Sequence, residues 1–177
     1  FDLIKVASCS ANDWPLLEKI ANSSLPIIFS TGGLELFQID EATSFFNHRG
    51  CDHSIMHCIS IYPTTNEKCN LNFIDTLVNR YPNTVIGWST HEDPNNFDPI
   101  KIAYSKGARI FERHVGIETK KYKLNKYSST PDQINNWIIE YKTAVNLCGS
   151  KNHNRDIIEL ESINTLKRGV YAKHNLK

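Results

Sequence analysis

The chain has 177 residues, of which 40% are hydrophobic and 22% are charged. This length can bury a substantial core and predicts one main domain. The 20 basic and 19 acidic residues nearly balance and form no long run of one sign, which argues against nucleic acid or an anionic membrane as a partner. The sequence shows no apolar segment long enough to span a bilayer and no signal-peptide pattern at its start.

The five cysteines are odd in number, widely spaced and without a Cys-x-x-Cys motif. This pattern predicts reduced thiols in a cytoplasmic protein and not a disulfide framework. Cys51, His53, His57 and Cys58 are spaced somewhat like zinc ligands. They fall in an apolar segment that predicts a strand, however, and strand alternation would send their side chains to both faces. We therefore disfavour a metal site in this segment.

Short apolar segments alternate with helical patterns along most of the chain. Strands are predicted near residues 3–8, 26–30, 54–59, 84–88 and 109–113. The last long helix has the clearest start, because Thr130, Pro131 and Gln133 combine an N-cap, a proline at the first helical position and a capping box. After Gly149 the strand–helix rhythm is lost. We therefore predict one domain over residues 1–149, followed by a linker and the start of something else over residues 150–177.

The repeat of strand and helix, with continuous apolar strands, predicts a parallel sheet covered by helices. The chain has no Gly-x-Gly-x-x-Gly turn and no Walker loop, which argues against a nucleotide-binding open sheet. Polar residues recur at the end of every strand, which favours a barrel over a sheet with one switch point. The predicted fold class is therefore α/β, a partial (β/α)8 TIM barrel whose parallel strands are each followed by a helix.

Two polar triplets follow consecutive predicted strands, Ser89-Thr90-His91 and Glu112-Arg113-His114. Parallel neighbours present the side chains at their carboxyl ends on one rim, the face where barrel enzymes hold their active sites. Two imidazoles and a carboxylate there predict a divalent metal site with open positions for substrate. The alternative is that both histidines only cap strands and bond to loops. The residues alone leave both alternatives open.

A set of short segments between Leu3 and Gly149 carries a family resemblance. These segments are Lys5-Val6-Ala7-Ser8, Asp13-Trp14-Pro15-Leu16-Leu17, Ser30-Thr31-Gly32-Gly33, His57-Cys58, Ile61-Tyr62-Pro63, Asn70-Leu71, Gly87-Trp88-Ser89-Thr90-His91 and Glu112-Arg113-His114. In this order and spacing they resemble the sialic-acid (nonulosonate) synthase family. The family condenses phosphoenolpyruvate with an N-acetylated amino sugar, forming a nonulosonic acid and releasing phosphate.

The resemblance implies that the chain corresponds to strands four to eight of the family's barrel. Residues 166–173 resemble the opening of the family's small antifreeze-like domain. The first three strand–helix units and most of the antifreeze-like domain would then lie outside this sequence. On this interpretation the fragment alone is expected to be inactive, and the full-length protein is expected to be a cytoplasmic homodimer.

The resemblance also implies roles for individual residues. Lys5 and Glu112 are expected to be catalytic, and His91 and His114 are expected to bind a divalent metal, usually manganese in the family. Substrate contacts are expected from the remaining matched positions, which are Ser8, Ser30, Ser60, Tyr62, Ser89 and Asn125. A multiply charged anion such as phosphoenolpyruvate favours an ammonium group and several hydroxyl donors.

Each of these residues also has a purely structural interpretation. Lys5 could extend to the rim as a flexible surface side chain, and serines at strand ends often cap the next loop or helix. Glu112 could form a structural ion pair with Arg109 or Arg113. An aromatic residue before a proline, such as Tyr62, often serves only to pack a loop.

The chain departs from the family at several positions. Family members usually have Asn at the position of Ser60 and Asp at that of Thr90. The family's Gly-Pro-Asp segment is matched at best by Lys123-Leu124-Asn125, so an amide replaces a sugar-binding carboxylate. Two alternatives to an active synthase therefore stay open. One is a non-catalytic relative that binds sugar or phosphate, and the other is an unrelated metal-dependent barrel of the aldolase type.

Overall fold

The computed structural model describes residues 1–152 and 154–175. In this part of the chain five strands form one parallel sheet in the order β1-β2-β3-β4-β5, so each strand pairs with its neighbours along the chain. The strands are β1 (Ile4–Val6), β2 (Ile27–Ser30), β3 (His53–Cys58), β4 (Val85–Thr90) and β5 (Ile110–Arg113). The prediction of a parallel, sequentially ordered half-barrel is confirmed.

A helix follows each strand, as predicted. The helices are α1 (Trp14–Ala21), α2 (Leu36–His48), α3 (Asn72–Arg80), α4 (Asp98–Ser105), α5 (Pro131–Cys148) and α6 (Ile157–Leu166). The start of α5 has the predicted capping box, in which the backbone N–H of Gln133 donates to Thr130 and the Gln133 side chain accepts from the backbone N–H of Thr130. Gly149 ends this helix with a φ of 58°, a conformation that glycine adopts without steric cost.

Two strand boundaries differ from the predictions by more than one residue. Ser8 begins a short 3-10 helix (Ser8–Ser10) and is not part of β1. Strand β4 continues through Ser89 and Thr90, so the first polar triplet belongs mostly to the strand. Its polar side chains are held there by pairing with β5, where Ser89 lies opposite Glu112 and Thr90 opposite Arg113.

The two faces of the sheet pack differently. The outer face carries large apolar residues such as Phe29, Ile55 and Trp88, which are fully buried against the helices. The inner face carries small or polar residues, among them Ser30 and Ser89, beside larger ones such as Met56, for which Gly87 leaves room.

An ion pair shows how far the sheet curls. Lys5 on β1 and Glu112 on β5 make a salt bridge, although these are the first and last strands of the sheet. In a flat sheet those strands would be four spacings apart, about 19 Å. The contact therefore requires the curvature of a half-barrel. It also places Glu112 with Lys5, and not with Arg109 or Arg113.

The segment after Gly149 contains a helix that the sequence did not predict. In α6 the Asp156 side chain accepts a hydrogen bond from the backbone N–H of Ile158. None of the helix's residues is buried. The assignment of residues 150–177 to a linker and an antifreeze-like domain stays a prediction, and His153, Leu176 and Lys177 of that segment lie outside the described residues. None of the helices formed by the described residues is long and apolar enough to cross a membrane.

We predict that Gly87→Ala destabilises the half-barrel. A Cβ at Gly87 would lie 2.6 Å from the carbonyl oxygen of Ile110 and closer still to the sulfur of Met56. Because backbone cannot move away as a side-chain tip can, the free energy of unfolding should fall by about 1–3 kcal/mol. Urea unfolding measures this change. Gly116→Ala is the matched control, since its Cβ would meet a flexible side-chain end, Leu124 Cδ2 at 2.6 Å, and a loss as large as that of Gly87→Ala would contradict the argument.

Candidate active site at the carboxyl rim

The two rim histidines lie side by side. His91 follows β4 directly and His114 follows β5 directly, and their ring centroids are 5.3 Å apart. Imidazole nitrogens lie about 2.1 Å from a bound ion, so two rings on one ion have centroids no more than about 6.5 Å apart. The observed spacing is within this limit.

The hydrogen bond of His91 determines which ring nitrogen is free. Its Nδ1 lies 3.0 Å from the carbonyl oxygen of Ile59. Because a carbonyl can only accept, Nδ1 carries the proton and Nε2 keeps its lone pair, which is the usual state of a metal-binding histidine. Burial lowers the pKa of His91, and the neighbouring His114 and Lys5 act in the same direction. The neutral form that can bind a cation is therefore favoured near pH 7.

The protein groups at this site are too few for a closed metal cage. Among residues 1–152 and 154–175, no group of three or more His, Cys, Asp or Glu side chains is arranged to hold a metal ion. Glu112, the carboxylate residue two positions before His114, is paired with Lys5. Two imidazoles fit an open site in which water and substrate supply the other ligands. The assignment of His91 and His114 to a metal stays a prediction.

Hydroxyl groups gather around Gly32 at the ends of the first three strands. The backbone N–H of Gly32 donates to Ser8 Oγ at 2.9 Å. A Cβ at Gly32 would lie 2.8 Å from Ser8 Oγ, 3.2 Å from Cys58 Sγ and closer still to Ser60 Oγ. The missing side chain is therefore what allows Ser8 and Ser60 to approach each other. The structure brings together residues that lie far apart in the sequence.

Ser30 and Ser89 are buried on the same inner face. Ser30 is 2% exposed and Ser89 is 3% exposed. Within the described part of the chain, Ser30 Oγ makes no hydrogen bond. A buried hydroxyl without a partner is costly, so Ser30 is prepared to bond a ligand oxygen. This is the observation that best supports its predicted role as a substrate contact.

An aromatic wall surrounds the histidines, and sequence analysis found only half of it. The Tyr62 ring lies 4.4 Å from the His91 ring, as a predicted site residue should. Tyr127, which was not predicted, lies 5.1 Å from His114 and 5.1 Å from Tyr62. The side-chain oxygen of Asn125 accepts from the backbone N–H groups of Tyr127 and Ser128, so this residue shapes the loop that carries Tyr127. The proposed sugar contact of Asn125 stays a prediction.

Sequence analysis also missed a buried ion pair behind the rim. Arg113 and Glu92 are bonded at 2.8 Å, with side chains 1% and 0% exposed. The only signal in the sequence is that each residue is adjacent to a histidine, in Thr-His-Glu and Glu-Arg-His. Strand register turns these adjacent positions into neighbours in space, because Thr90 pairs with Arg113.

The cysteine and histidine side chains of β3 lie on both faces of the sheet, as strand alternation predicted. Cys58 approaches Gly32 on the inner face, whereas His57 Nε2 bonds the carbonyl oxygen of Cys69 on the outer face at 3.0 Å. Burial raises the pKa of the Cys69 thiol to about 11, and Glu92 and Glu67 add to the shift. A thiol with that pKa is protonated at pH 7 and is a poor nucleophile or ligand.

Comparison with known families decides what kind of barrel this is. The model of the NeuB family matches residues 1–153. The chain belongs to the NeuB family. The half-barrel and its rim are therefore a NeuB-family arrangement, in agreement with the resemblance to sialic-acid synthases that the motifs indicated.

Named relatives and solved structures agree with this assignment. The N-acetylneuraminate-9-phosphate synthase of Drosophila melanogaster is 39% identical over 116 residues, which are 65% of this chain and 31% of that protein. A crystal structure of a spore coat polysaccharide biosynthesis protein E from Chromobacterium violaceum is 42% identical, with a TM-score of 0.92 over 96% of this chain and 51% of that one. The N-acetylneuraminic acid synthetase of Leptospira borgpetersenii, crystallised with citrate, is 27% identical with a TM-score of 0.83, over 93% and 57% of the two chains.

Other curated relatives carry the names pseudaminic acid synthase and N,N'-diacetyllegionaminic acid synthase, both from Campylobacter jejuni. These two names, like those of the Drosophila and Leptospira proteins, describe synthases or synthetases. The NeuB-family chain described here spans about one third to one half of the length of the first curated relatives it matches.

We predict that protonation of His57 lowers the free energy of unfolding in mild acid. Burial lowers the pKa of His57, so the unfolded chain, with a pKa of about 6.5, binds this proton first. The stabilisation that the neutral His57 gives the folded state is fully present above pH 6.5. It is lost as the pH falls from there through the lower pKa of His57 in the folded state. His57→Gln retains a donor for Cys69 but cannot titrate. Between pH 7.5 and 5.5 its free energy of unfolding should fall by about 1 kcal/mol less than that of the unmodified chain. Chemical denaturation at each pH tests this, and equal slopes would contradict it.

Proposed function

We propose that the full protein containing this chain condenses phosphoenolpyruvate with an N-acetylated amino sugar, forming a nonulosonic acid and releasing phosphate. Membership of the NeuB family and the names of the relatives support this class of reaction. One observation carries the proposal. A single rim holds two adjacent imidazoles, an ammonium–carboxylate pair and several serine hydroxyls, those of Ser8, Ser30 and Ser60.

The Lys5 side of the rim suits a multiply charged anion. Its ammonium group lies on the inner face near the strand ends that bring Ser8 and Ser30 inward. In the proposed complex Lys5 neutralises the phosphate or carboxylate of phosphoenolpyruvate, and the serine hydroxyls donate to its oxygens. Charge-assisted bonds of this kind are shorter and stronger than neutral ones.

Glu112 is proposed to act as the proton acceptor. In the described structure its Oε2 is bonded to Lys5. When Lys5 turns to the incoming anion, Glu112 Oε2 loses this partner and is free to accept a proton. The methylene carbon of phosphoenolpyruvate forms a bond to the sugar's aldehyde carbon while the aldehyde C=O π bond opens to an alkoxide, and water adds to the resulting cationic carbon. Glu112 Oε2 takes one proton of that water and returns it to the alkoxide, which becomes a hydroxyl group. The other proton leaves with phosphate as the C–O bond to phosphate breaks and the ketone forms.

His91 and His114 would hold the divalent cation, proposed to be manganese, which when bound supplies Lewis-acid polarisation of the sugar's aldehyde oxygen. The chain's own contribution is to present His91 Nε2 unprotonated, through its bond from Nδ1 to Ile59. Tyr62 and Tyr127 line the same rim and offer faces against which the C–H groups of a sugar could pack.

A non-catalytic relative is the second candidate, and the structure weakens one argument for it. Thr90, where the family usually has Asp, faces outward and accepts a hydrogen bond from Arg113 at 3.2 Å. Its side chain belongs to the support behind the rim, so the change at this position removes no group from the inner face. The departures at Ser60 and Asn125 lie on the substrate side and keep the alternative testable.

The direct test is an assay of phosphate release by the full-length protein. Phosphoenolpyruvate and Mn²⁺ are supplied together with a panel of N-acetylated amino sugars. The proposal expects release that requires both substrates and stops with chelator. Binding of a sugar without turnover would support the non-catalytic alternative, and release from phosphoenolpyruvate with a non-aminated aldehyde alone would support an aldolase-type barrel.

We predict that replacing the rim histidines abolishes metal-dependent turnover without unfolding the protein. His114 is exposed, so His114→Ala should keep the melting temperature while the rate falls by several orders of magnitude. His91→Asn is the matched change at the buried position, since its amide nitrogen takes the place of the imidazole Nδ1 and can still donate to Ile59. His48→Ala, on the surface of α2, is the control. Retained Mn²⁺ dependence in both rim variants would contradict the prediction and show that the histidines only cap the strands.

We predict that Lys5 contributes mainly to the binding of phosphoenolpyruvate and Glu112 mainly to the chemical step. Lys5→Met should raise KM for phosphoenolpyruvate by about 10- to 100-fold, the value of one charged hydrogen bond. Glu112→Gln should instead lower kcat by about 100-fold or more, as expected for a lost general base. Steady-state kinetics distinguish the two effects. Lys101→Met, which breaks surface ion pairs with Asp98 and Glu140, is the control and should change neither constant.

A further inference from the structure

Arg113 is bonded to its full capacity behind the rim. A guanidinium group has five N–H donors, and Arg113 makes five hydrogen bonds. Nε donates to Ser129 Oγ at 2.6 Å, Nη1 donates to Thr90 Oγ1 at 3.2 Å and to Glu92 Oε1 at 2.8 Å, and Nη2 donates to the carbonyl oxygens of Glu92 at 3.2 Å and Asp93 at 3.1 Å. The side chain is 1% exposed. Because the five acceptors lie in different directions, the bonds together fix the position and orientation of the guanidinium group.

The acceptors surround one particular residue, His91. Thr90 directly precedes it and Glu92 directly follows it, so the same guanidinium group bonds both of its neighbours. Arg113 in turn directly precedes His114. A single side chain on the residue before His114 therefore bonds the hydroxyl of Thr90 on one side of His91 and the carboxylate and carbonyl oxygen of Glu92 on the other.

The backbone at both histidines is held as well. The carbonyl oxygen of His91 accepts from the N–H of Thr64 at 2.9 Å, and that of His114 accepts from the N–H of Ser129 at 2.9 Å. Ser129 is also the residue that bonds Arg113 Nε. The His114 ring itself makes no side-chain hydrogen bond to any described residue. Its position therefore depends on the backbone that Arg113 and Ser129 hold.

The composition of this network favours a geometric role over a contribution to stability. A fully buried ion pair is weak evidence for stability, because removing both charges from water offsets much of their attraction. Glu92 Oε2 finds no hydrogen-bond partner among the described residues, so the pair does not have optimal bonding. What the network supplies, and an apolar pair would not, is a set of directional bonds between β4, β5 and the loop after β5.

We propose that Arg113 is a positioning residue that sets the distance and mutual orientation of the His91 and His114 rings. Its planar fork holds the ends of β4 and β5 in register, and Glu92 keeps the fork in place. The consequence for a cation rests on the function proposed above, whereas the consequence for the spacing of the two rings does not.

The test uses three variants of the full-length protein. Arg113→Lys keeps the charge but replaces the five-donor fork by one ammonium group, and Glu92→Gln removes the charge with little change of shape. Arg109→Lys is the matched control, because Arg109 directly precedes β5 and, among the described residues, donates only to the carbonyl oxygens of Tyr104 and Ala108. Circular dichroism and thermal melting establish that each variant is folded.

Two readouts report on the rings themselves. In protein with selectively labelled histidine rings, the unmodified chain and Arg109→Lys should show nuclear Overhauser contacts between the rings of His91 and His114. Arg113→Lys and Glu92→Gln should lose or weaken these contacts. Electron paramagnetic resonance titration with Mn²⁺ alone should show an affinity lower by about 10- to 100-fold in the same two variants, the range found when groups supporting metal ligands are removed.

Unchanged ring contacts and Mn²⁺ affinity in folded Arg113→Lys and Glu92→Gln would overturn the proposal and leave Arg113 as a structural ion pair. Absence of ring contacts in the unmodified protein would overturn it as well. Failure of the proposed function has a different result, in which phosphate release is absent from every form while the ring contacts still depend on Arg113.

Discussion

The curvature of the five-stranded sheet is the constraint on which the rest of this structure depends. Strands β1 and β5 stand at opposite ends of the sheet, and yet Lys5 and Glu112 meet across its inner face. Large residues such as Phe29 and Trp88 occupy the outer face, while Gly87 on the inner face leaves room for Met56. In a flat sheet the rim residues would be spread along an edge of about 19 Å and could not act on one small molecule.

Curvature alone does not align side chains to the accuracy that chemistry needs, and the rim has a second layer of support. On the inner side, Ile59 holds the His91 ring through Nδ1. On the outer side, the Arg113 network bonds the residues next to both histidines. The site groups thus lie on rigid strand ends with hydrogen-bonded support behind them, the arrangement that keeps ligands in one orientation. On the inner face, by contrast, Ser30 Oγ makes no hydrogen bond to any described residue and is free to bond a ligand.

Departures from the family pattern acquire different meanings once their location is known. Thr90 lies behind the rim and joins the Arg113 network, so its substitution for an acid alters support and not the substrate surface. Asn125 lies in the loop after β5, and its side-chain oxygen forms the turn that delivers Tyr127 to the histidines. The loop after β5 thus places the aromatic face of Tyr127 beside the rim histidines, on the surface where we propose that the amino sugar binds.

Local patterns in the sequence determined the elements, their order and the parallel half-barrel, because hydrophobic periodicity, the Thr130 capping box and polar strand ends are all short-range signals. The ordered motifs also indicated the family, and they named the rim histidines before any geometry was known. Tertiary structure alone decided which polar groups pair. The bond between Lys5 and Glu112 depends on curvature, the bonds of Arg113 depend on strand register, and the place of Tyr127 depends on how a loop returns to the rim. Such contacts join residues far apart in the chain, and no periodicity encodes them, because they result from the packing of the whole sheet.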